Sequence, residues 1–304
     1  MQLQLSGLIA APFTPLHESG DLNLAMIPKL LRLYEKNGVA GSFICGSTGE
    51  GSSLTLSEKR AVMEAWGDEK NTTVKKIFMV GGTSLREMKQ LAVEAQNHEM
   101  DAISFVSPYY FRPKEVDRLV DCCEEVGAAV PDMPLFYYHI PSLTHAYFSM
   151  HEFLEKCEDR VPNLVGIKFS HSDLFDFQKC RIFREGKYQM LWGTDEALLS
   201  ALAAGAQGGV GSTYNYAAPL YHKIIKAFEE SNFDEARLWQ NKAVQMVGLL
   251  IKYGGAEAGK AFMKIIGLDC GWCRLPMKRL STGSYQGLEK ELQEIGFFDY
   301  CSKI

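Results

Sequence analysis

A chain of 304 residues, 46% of them hydrophobic, is long enough to bury a substantial core, and one barrel of about 250 residues plus an extension fits it. The formal net charge of −5 excludes a nucleic-acid or anionic-membrane partner, because neither finds a basic patch to meet. The start of the chain, MQLQLSGLIAAPF, lacks a basic leader and nowhere do about 18 apolar residues run on uninterrupted, so no membrane partner and a cytoplasmic location are expected.

Taken in order, eight short apolar runs recur: Gly7 to Ala11, Gly41 to Cys45, Lys76 to Val80, Ala102 to Ser107, Leu135 to Ile140, Leu164 to Ser170, Tyr188 to Trp192 and Gly208 to Ser212. They start roughly 20 to 35 residues apart, the step of a repeated strand-plus-helix unit, and eight of them predict a closed (β/α)8 TIM barrel of the α/β class. Helix signals fall between the runs. Ser57 is placed to cap the segment through Trp66, Ser84 to Glu87 reads as a capping box opening the run to His98, and Pro113 suits a first turn before Val116 to Val126. Gly38, Gly127 and Gly205 stand where those helices should stop. From Pro219 the alternation ends, and Tyr221 to Glu230, Phe233 to Tyr253, Gly259 to Ile266 and Tyr285 to Ile295 all read helical. The barrel is therefore assigned to residues 1–230 and a C-terminal helical extension to 231–304, as a single structural unit with no low-complexity linker.

In such a barrel, reactive side chains belong at the C-terminal ends of the strands. After the second strand, Gly46-Ser47-Thr48-Gly49-Glu50-Gly51 is a glycine loop whose N–H groups can approach a carboxylate or a phosphate, and is equally ordinary turn composition. Ser107-Pro108-Tyr109-Tyr110 ends the fourth strand and Phe136-Tyr137-Tyr138-His139-Ile140-Pro141 the fifth, where alternation lets only one of Tyr137 and Tyr138 point inward. The sixth, LVGIKFS, puts Val165, Ile167 and Phe169 on one face and Gly166, Lys168 and Ser170 on the other. Burying an ammonium there costs several kcal/mol unless it is paired or loses its proton. A neutral lysine is a nucleophilic amine that forms Schiff bases, while the alternative is a strand-end lysine reaching to solvent or a carboxylate. Gly193-Thr194-Asp195-Glu196 ends the seventh strand and Gly209-Val210-Gly211-Ser212-Thr213 the eighth; the adjacent carboxylates could serve a metal, sugar hydroxyls or a helix N-terminus.

The eight cysteines are dispersed, and reduced thiols are expected. Cys270-Gly271-Trp272-Cys273 has neither a strand before it nor a helix beginning at its first cysteine, which argues against a redox pair, and no second His or Cys pair completes a zinc site.

Together the motifs GSTGE, SPYY, YHIP, GIKFS, GTDE and GGVGST, each at a different strand end, resemble the N-acetylneuraminate lyase / dihydrodipicolinate synthase family of Schiff-base aldolases, over most of the chain from about Gly7 onward. The resemblance implies a (β/α)8 barrel, usually a homotetramer, using no metal and no organic cofactor. It matches Lys168 to the Schiff-base lysine, Tyr138 to the proton-shuttling tyrosine, and Ser47 and Thr48 to the pair holding the pyruvate carboxylate, with Ser47 also placing Tyr138. Tyr110 resembles the tyrosine that reaches a neighbouring subunit's site. His139, opposite Tyr138 by alternation, is expected to be structural. The family's synthases carry a double threonine in the loop and an arginine shortly after the Y-x-x-P motif; this chain has Ser47 and Leu143 there. That implies the lyase branch, with Ser170, Gly193, Asp195, Glu196 and Ser212 matching positions that hydrogen-bond a sugar tail. The implied reaction is reversible cleavage of N-acetylneuraminate (sialic acid) to N-acetylmannosamine and pyruvate. A related aldolase acting on another 2-keto acid, or a non-catalytic pyruvate-binding member, is the alternative.

Overall fold

Each of eight strands runs parallel to the next in chain order, and the last closes on the first, in a computed structural model that describes residues 3–304. The strands are β1 (Gly7–Ala10), β2 (Gly41–Ile44), β3 (Lys75–Met79), β4 (Ala102–Val106), β5 (Leu135–His139), β6 (Leu164–Phe169), β7 (Gln189–Trp192) and β8 (Gly208–Gly211). Around them lie α1 (Ile27–Lys36), α2 (Leu56–Gly67), α3 (Leu85–Asn97), α4 (Val116–Ala129), α5 (Pro141–Thr144), α6 (Met150–Cys157), α7 (Leu174–Ile182), α8 (Leu198–Ala203) and α9 (Tyr214–Glu229); α10 (Phe233–Lys252), α11 (Ala256–Ile265) and α12 (Thr282–Glu294) follow. The TIM barrel with helices after it is as expected. Among the described residues no helix is long and apolar enough to cross a membrane.

Period-two alternation separates two apolar layers. Ile9, Phe43, Ile77, Met79, Val106, Phe136, Tyr138, Leu191 and Val210 fill the barrel's interior. Leu8, Ile44, Phe78, Phe105, Tyr137, Ile167, Phe169 and Trp192 join the core between strands and helices. Val165 breaks the expected alternation. Leu135 pairs with Leu164 but Phe136 with Gly166, so Val165 is an extra residue in a bulge and packs with the interior, away from Ile167 and Phe169.

Several helix ends also differ from expectation. Thr55, rather than Ser57, caps α2, in a reciprocal box with Glu58. Pro113 lies before the N-cap of α4, which is Glu115, and Gly127 falls inside that helix. The carboxamide of Asn163 ends α4, donating to the carbonyls of Gly127, Val130 and Met133 at 3.2, 2.9 and 3.0 Å. Helix α9 begins at Tyr214, seven residues before Tyr221, because Pro219 is accommodated near a kink at Ala217.

The later helices return to the barrel. Gln240 of α10 accepts from the Leu199 N–H at 2.8 Å, and near the chain end Ser302 N donates to Tyr216 O at 2.7 Å.

Candidate active site

Lys168 sits one residue from the end of β6, in register with Tyr138 on one side and Leu191 on the other. Its approach depends on Gly166. A Cβ there would stand 2.2 Å from the Gln189 carbonyl oxygen, so only glycine lets β6 and β7 close at that level. The Lys168 side chain is 4% exposed, and its Nζ lies 4.1 Å from the Phe43 ring centroid and 4.0 Å from that of Tyr138. Among the described residues no carboxylate comes within ion-pair distance of Lys168. Burial lowers its pKa, against the opposing pull of Tyr138 and Asp195. The result is an amine biased towards its neutral, nucleophilic form.

The glycine loop follows β2. Cys45 and Glu50, both left-handed at φ 56° and 55°, bracket it, and Glu50 N donates to Ser47 O at 3.1 Å while Gly51 N donates to Gly46 O at 3.1 Å. Among the described residues the N–H groups of Ser47 and Thr48 donate to no protein acceptor. Of the two, Thr48 shares the cavity of the Lys168 amine.

That cavity, of about 200 Å³, also gathers Tyr138, Ser170, Gly193, Asp195, Glu196 and Ser212. The Ser170 hydroxyl is buried with no hydrogen-bond partner among the described residues. Gly193 makes room for it, since a Cβ there would meet Ser170 Oγ at 1.9 Å. Asp195 is buried, and one of its oxygens is committed: Oδ2 accepts from Thr213 N at 3.0 Å and from Thr213 Oγ1 at 2.6 Å. With its proton spent on Asp195, the Thr213 hydroxyl accepts from Tyr221 Oη, 2.7 Å away. Burial raises the Asp195 pKa, partly offset by the Thr213 bonds, and burial likewise raises that of Glu196. The site thus presents an amine at one end and hydroxyl and carboxyl groups suited to a polyhydroxylated chain at the other.

Two expected site residues, Ser47 and Tyr110, stand apart from this cavity, and so does His139, which was expected to be structural. Ser47 lines a neighbouring cavity of about 230 Å³ with Tyr138 and Leu143, and no hydrogen bond joins it to Tyr138 among the described residues, so its proposed placing of that tyrosine is not seen here. Tyr110 is 75% exposed and lines neither cavity. His139 faces the helices, with its ring 5.0 Å from Phe169 and 5.5 Å from His171. Burial and the neighbouring His171 push its pKa down to about 3.

Other site features escaped the sequence. Val247 and Leu250 of α10 wall the cavity. Glu50 and Lys260 form a buried ion pair at 2.7 Å behind the loop. A lysine among the apolar neighbours of AGKAFM was the available signal. Cys270 and Cys273 lie in a loop that starts no helix, and burial pushes both thiols up to about 12, the reverse of a reactive pair.

Comparison with known proteins bears on this arrangement. Residues 4–295 match the dihydrodipicolinate synthetase family. The chain is 36% identical over 302 residues to the N-acetylneuraminate lyase of Rattus norvegicus, spanning 98% of this chain and 94% of that protein. It is 37% identical over 304 residues to that of Homo sapiens, with the same coverage. The structure of Proteus mirabilis N-acetylneuraminate lyase matches with a TM-score of 0.94 at 34% identity, covering 97% of this chain and 100% of that one.

Proposed function

Because this chain belongs to the dihydrodipicolinate synthetase family, we propose that it is a lysine-dependent, class I aldolase that reversibly cleaves N-acetylneuraminate to N-acetylmannosamine and pyruvate. The observation that carries the reading is Lys168: a buried amine without a counter-ion, in one cavity with Thr48 and the polar groups Ser170, Asp195, Glu196 and Ser212.

In this reading, neutral Lys168 Nζ adds to C2 of the open-chain ketone, and the carbinolamine takes up a proton from solvent and loses water, giving a protonated imine. Tyr138, stacked against the amine, takes the proton of the C4 hydroxyl. The C3–C4 bond breaks, its electrons flow into the imine to form an enamine, and N-acetylmannosamine departs as the aldehyde. Tyr138 returns the hydroxyl proton to C3 of the enamine, and water then hydrolyses the imine, releasing pyruvate, neutral Lys168 and the proton taken up at the start. Ser47 and Thr48 would hold the pyruvate carboxylate by their open N–H groups, and this cradle beside the cationic imine stabilises charge in a site poor in water. Ser170, Gly193, Asp195, Glu196 and Ser212 would take the sugar tail. Leu143, where the synthases place an arginine, offers no bidentate partner to a second carboxylate, which favours the lyase over the synthase reaction.

The exposed Tyr110 and adjacent Phe111 support a homotetramer in which Tyr110 completes a neighbour's site. Unpaired cysteines support a cytoplasmic setting. The test is pyruvate release from N-acetylneuraminate beside a panel of short 2-keto-4-hydroxy acids. Each buried group left unpaired by a missing hydroxyl costs about 1–3 kcal/mol, so the nine-carbon sugar should lead by orders of magnitude in kcat/KM. Equal turnover of a short acid would give the chain to another aldol.

A further inference from the structure

The ion pair behind the glycine loop links the C-terminal extension to the substrate end of the barrel. Glu50 closes the loop in a left-handed backbone conformation that an L residue holds only when its surroundings fix it. Those surroundings come from far along the chain. Glu50 Oε1 lies 2.7 Å from Lys260 Nζ, with the two side chains 1% and 0% exposed, and Glu50 Oε2 accepts from Arg274 N at 2.9 Å. Lys260 Nζ also donates to Trp272 O at 2.9 Å. Helix α11 reaches this depth because of Gly259, where a Cβ would stand 2.5 Å from the Phe13 ring. On the loop's other flank Thr14 Oγ1 donates to Gly49 O at 2.6 Å.

The pair is shut away from solvent and is not among the residues lining the catalytic cavity, so it does not touch the substrate. It carries no net charge and adds little to the field at the bound anion. What it can do is geometric. One hydrogen bond and one close ion contact, on the two oxygens of a single carboxylate, fix both the position and the rotation of residue 50, and the peptide run from Gly46 to Glu50 is short enough to transmit that setting to the open N–H groups of Ser47 and Thr48. We propose that Glu50 and Lys260 are positioning residues for carboxylate binding: the extension sets the anion cradle, and with it the affinity for the 2-keto acid end of the substrate. This rests on the reading of the loop as the pyruvate-carboxylate site.

The experiment replaces both charges at once, Glu50→Gln with Lys260→Met, so that no lone ion is left buried. Borohydride trapping of pyruvate at Lys168 is titrated against pyruvate concentration, and competition by N-acetylmannosamine is measured on the same protein. The apparent affinity for pyruvate should fall about tenfold or more, the scale on which supporting residues act. Trapping at saturating pyruvate should still reach its end point, and N-acetylmannosamine should compete as in wild type, because its hydroxyls are held from β6, β7 and β8. A solely structural pair would instead lower both affinities together or neither, and either result overturns the proposal. Glu50→Gln alone, which keeps acceptor and donor atoms in reach of Lys260 and Arg274, is titrated in the same way should the double variant not fold, with the same outcomes. If wild type traps no pyruvate, the functional reading fails and this proposal with it; wild-type trapping with unchanged affinity in the folded variant defeats this proposal alone.

Discussion

Tyr137 and Tyr138 are neighbours in sequence with opposite surroundings, and they make the sharpest test of single side chains. Tyr138→Phe should leave imine trapping at Lys168 measurable yet lower kcat by about 10² to 10⁴, the usual contribution of one placed acid–base group. Tyr137 packs against Phe105 and Phe153, and its buried hydroxyl has no hydrogen-bond partner among the described residues. Tyr137→Phe should therefore keep wild-type kcat and leave thermal stability equal or slightly higher, since an unpaired polar group is removed. Equal kinetic losses would mean the facing of β5 is wrong. His139 supplies a pH signature. Its folded-state pKa, about 3, lies below the ordinary 6.5, so below pH 6.5 the unfolded chain takes up a proton that the folded chain refuses. Stability must then fall with acid across that window, by about 2 kcal/mol on going from pH 7 to 5 from this residue. His171, Asp173 and Asp176 act on the same ring, so the comparison is with His139→Asn, whose urea midpoint should drop less over the same interval. These residues were legible from alternation alone, because a strand has only two faces. Glu50 was not, since nothing local to GSTGE reveals that its carboxylate meets Lys260.

Among the elements, β6 shows where pattern reading stops. The eight strands fall within a residue or two of the apolar runs, because in a parallel barrel each strand is buried on both faces and must be apolar along its length. The bulge at Val165 could not be read, because the extra residue is defined by pairing with β5 and leaves no mark in β6 itself. Helix starts failed for a related reason. Thr55 and Ser57 are both good caps, and only the backbone direction selects Thr55, while Pro219 looks like a breaker until the kink at Ala217 absorbs it. Strand β6 also carries a prediction. Gly166→Ala sets a methyl 2.2 Å from the Gln189 carbonyl, a backbone atom that cannot swing aside. Overpacking of this kind costs about 1–3 kcal/mol, at times more, and here must part β6 from β7 two residues below Lys168. Expected are a lower melting temperature and, in the protein still folded at the assay temperature, slower borohydride trapping. Unchanged trapping at a lowered melting temperature would show that the lysine's position is insulated from the register beneath it.

At the scale of the whole chain, the division at residue 230 coincides with a turn between α9, ending at Glu229, and α10, starting at Phe233, but the interactions cross it freely. Val247 and Leu250 wall the barrel's cavity, Gln240 holds the Leu199 N–H at the start of α8, and Lys260 neutralises Glu50. We propose that barrel and extension fold as one unit, and a chain ending at Glu230 tests it. Such a chain loses the counter-ion of a carboxylate that is 1% exposed. Leaving a buried charge without its partner costs about 3–5 kcal/mol, a large part of the roughly 5–15 kcal/mol that holds a typical domain together. The apolar faces that α10 and α11 cover would be exposed as well. The shortened chain should therefore give no cooperative urea transition and bind a hydrophobic dye. Adding Glu50→Gln to the same shortened chain separates the two causes. If it restores a single sharp transition, the stranded charge was the defect and the barrel is a domain in its own right; if it does not, the apolar surface belongs to both parts and neither folds without the other.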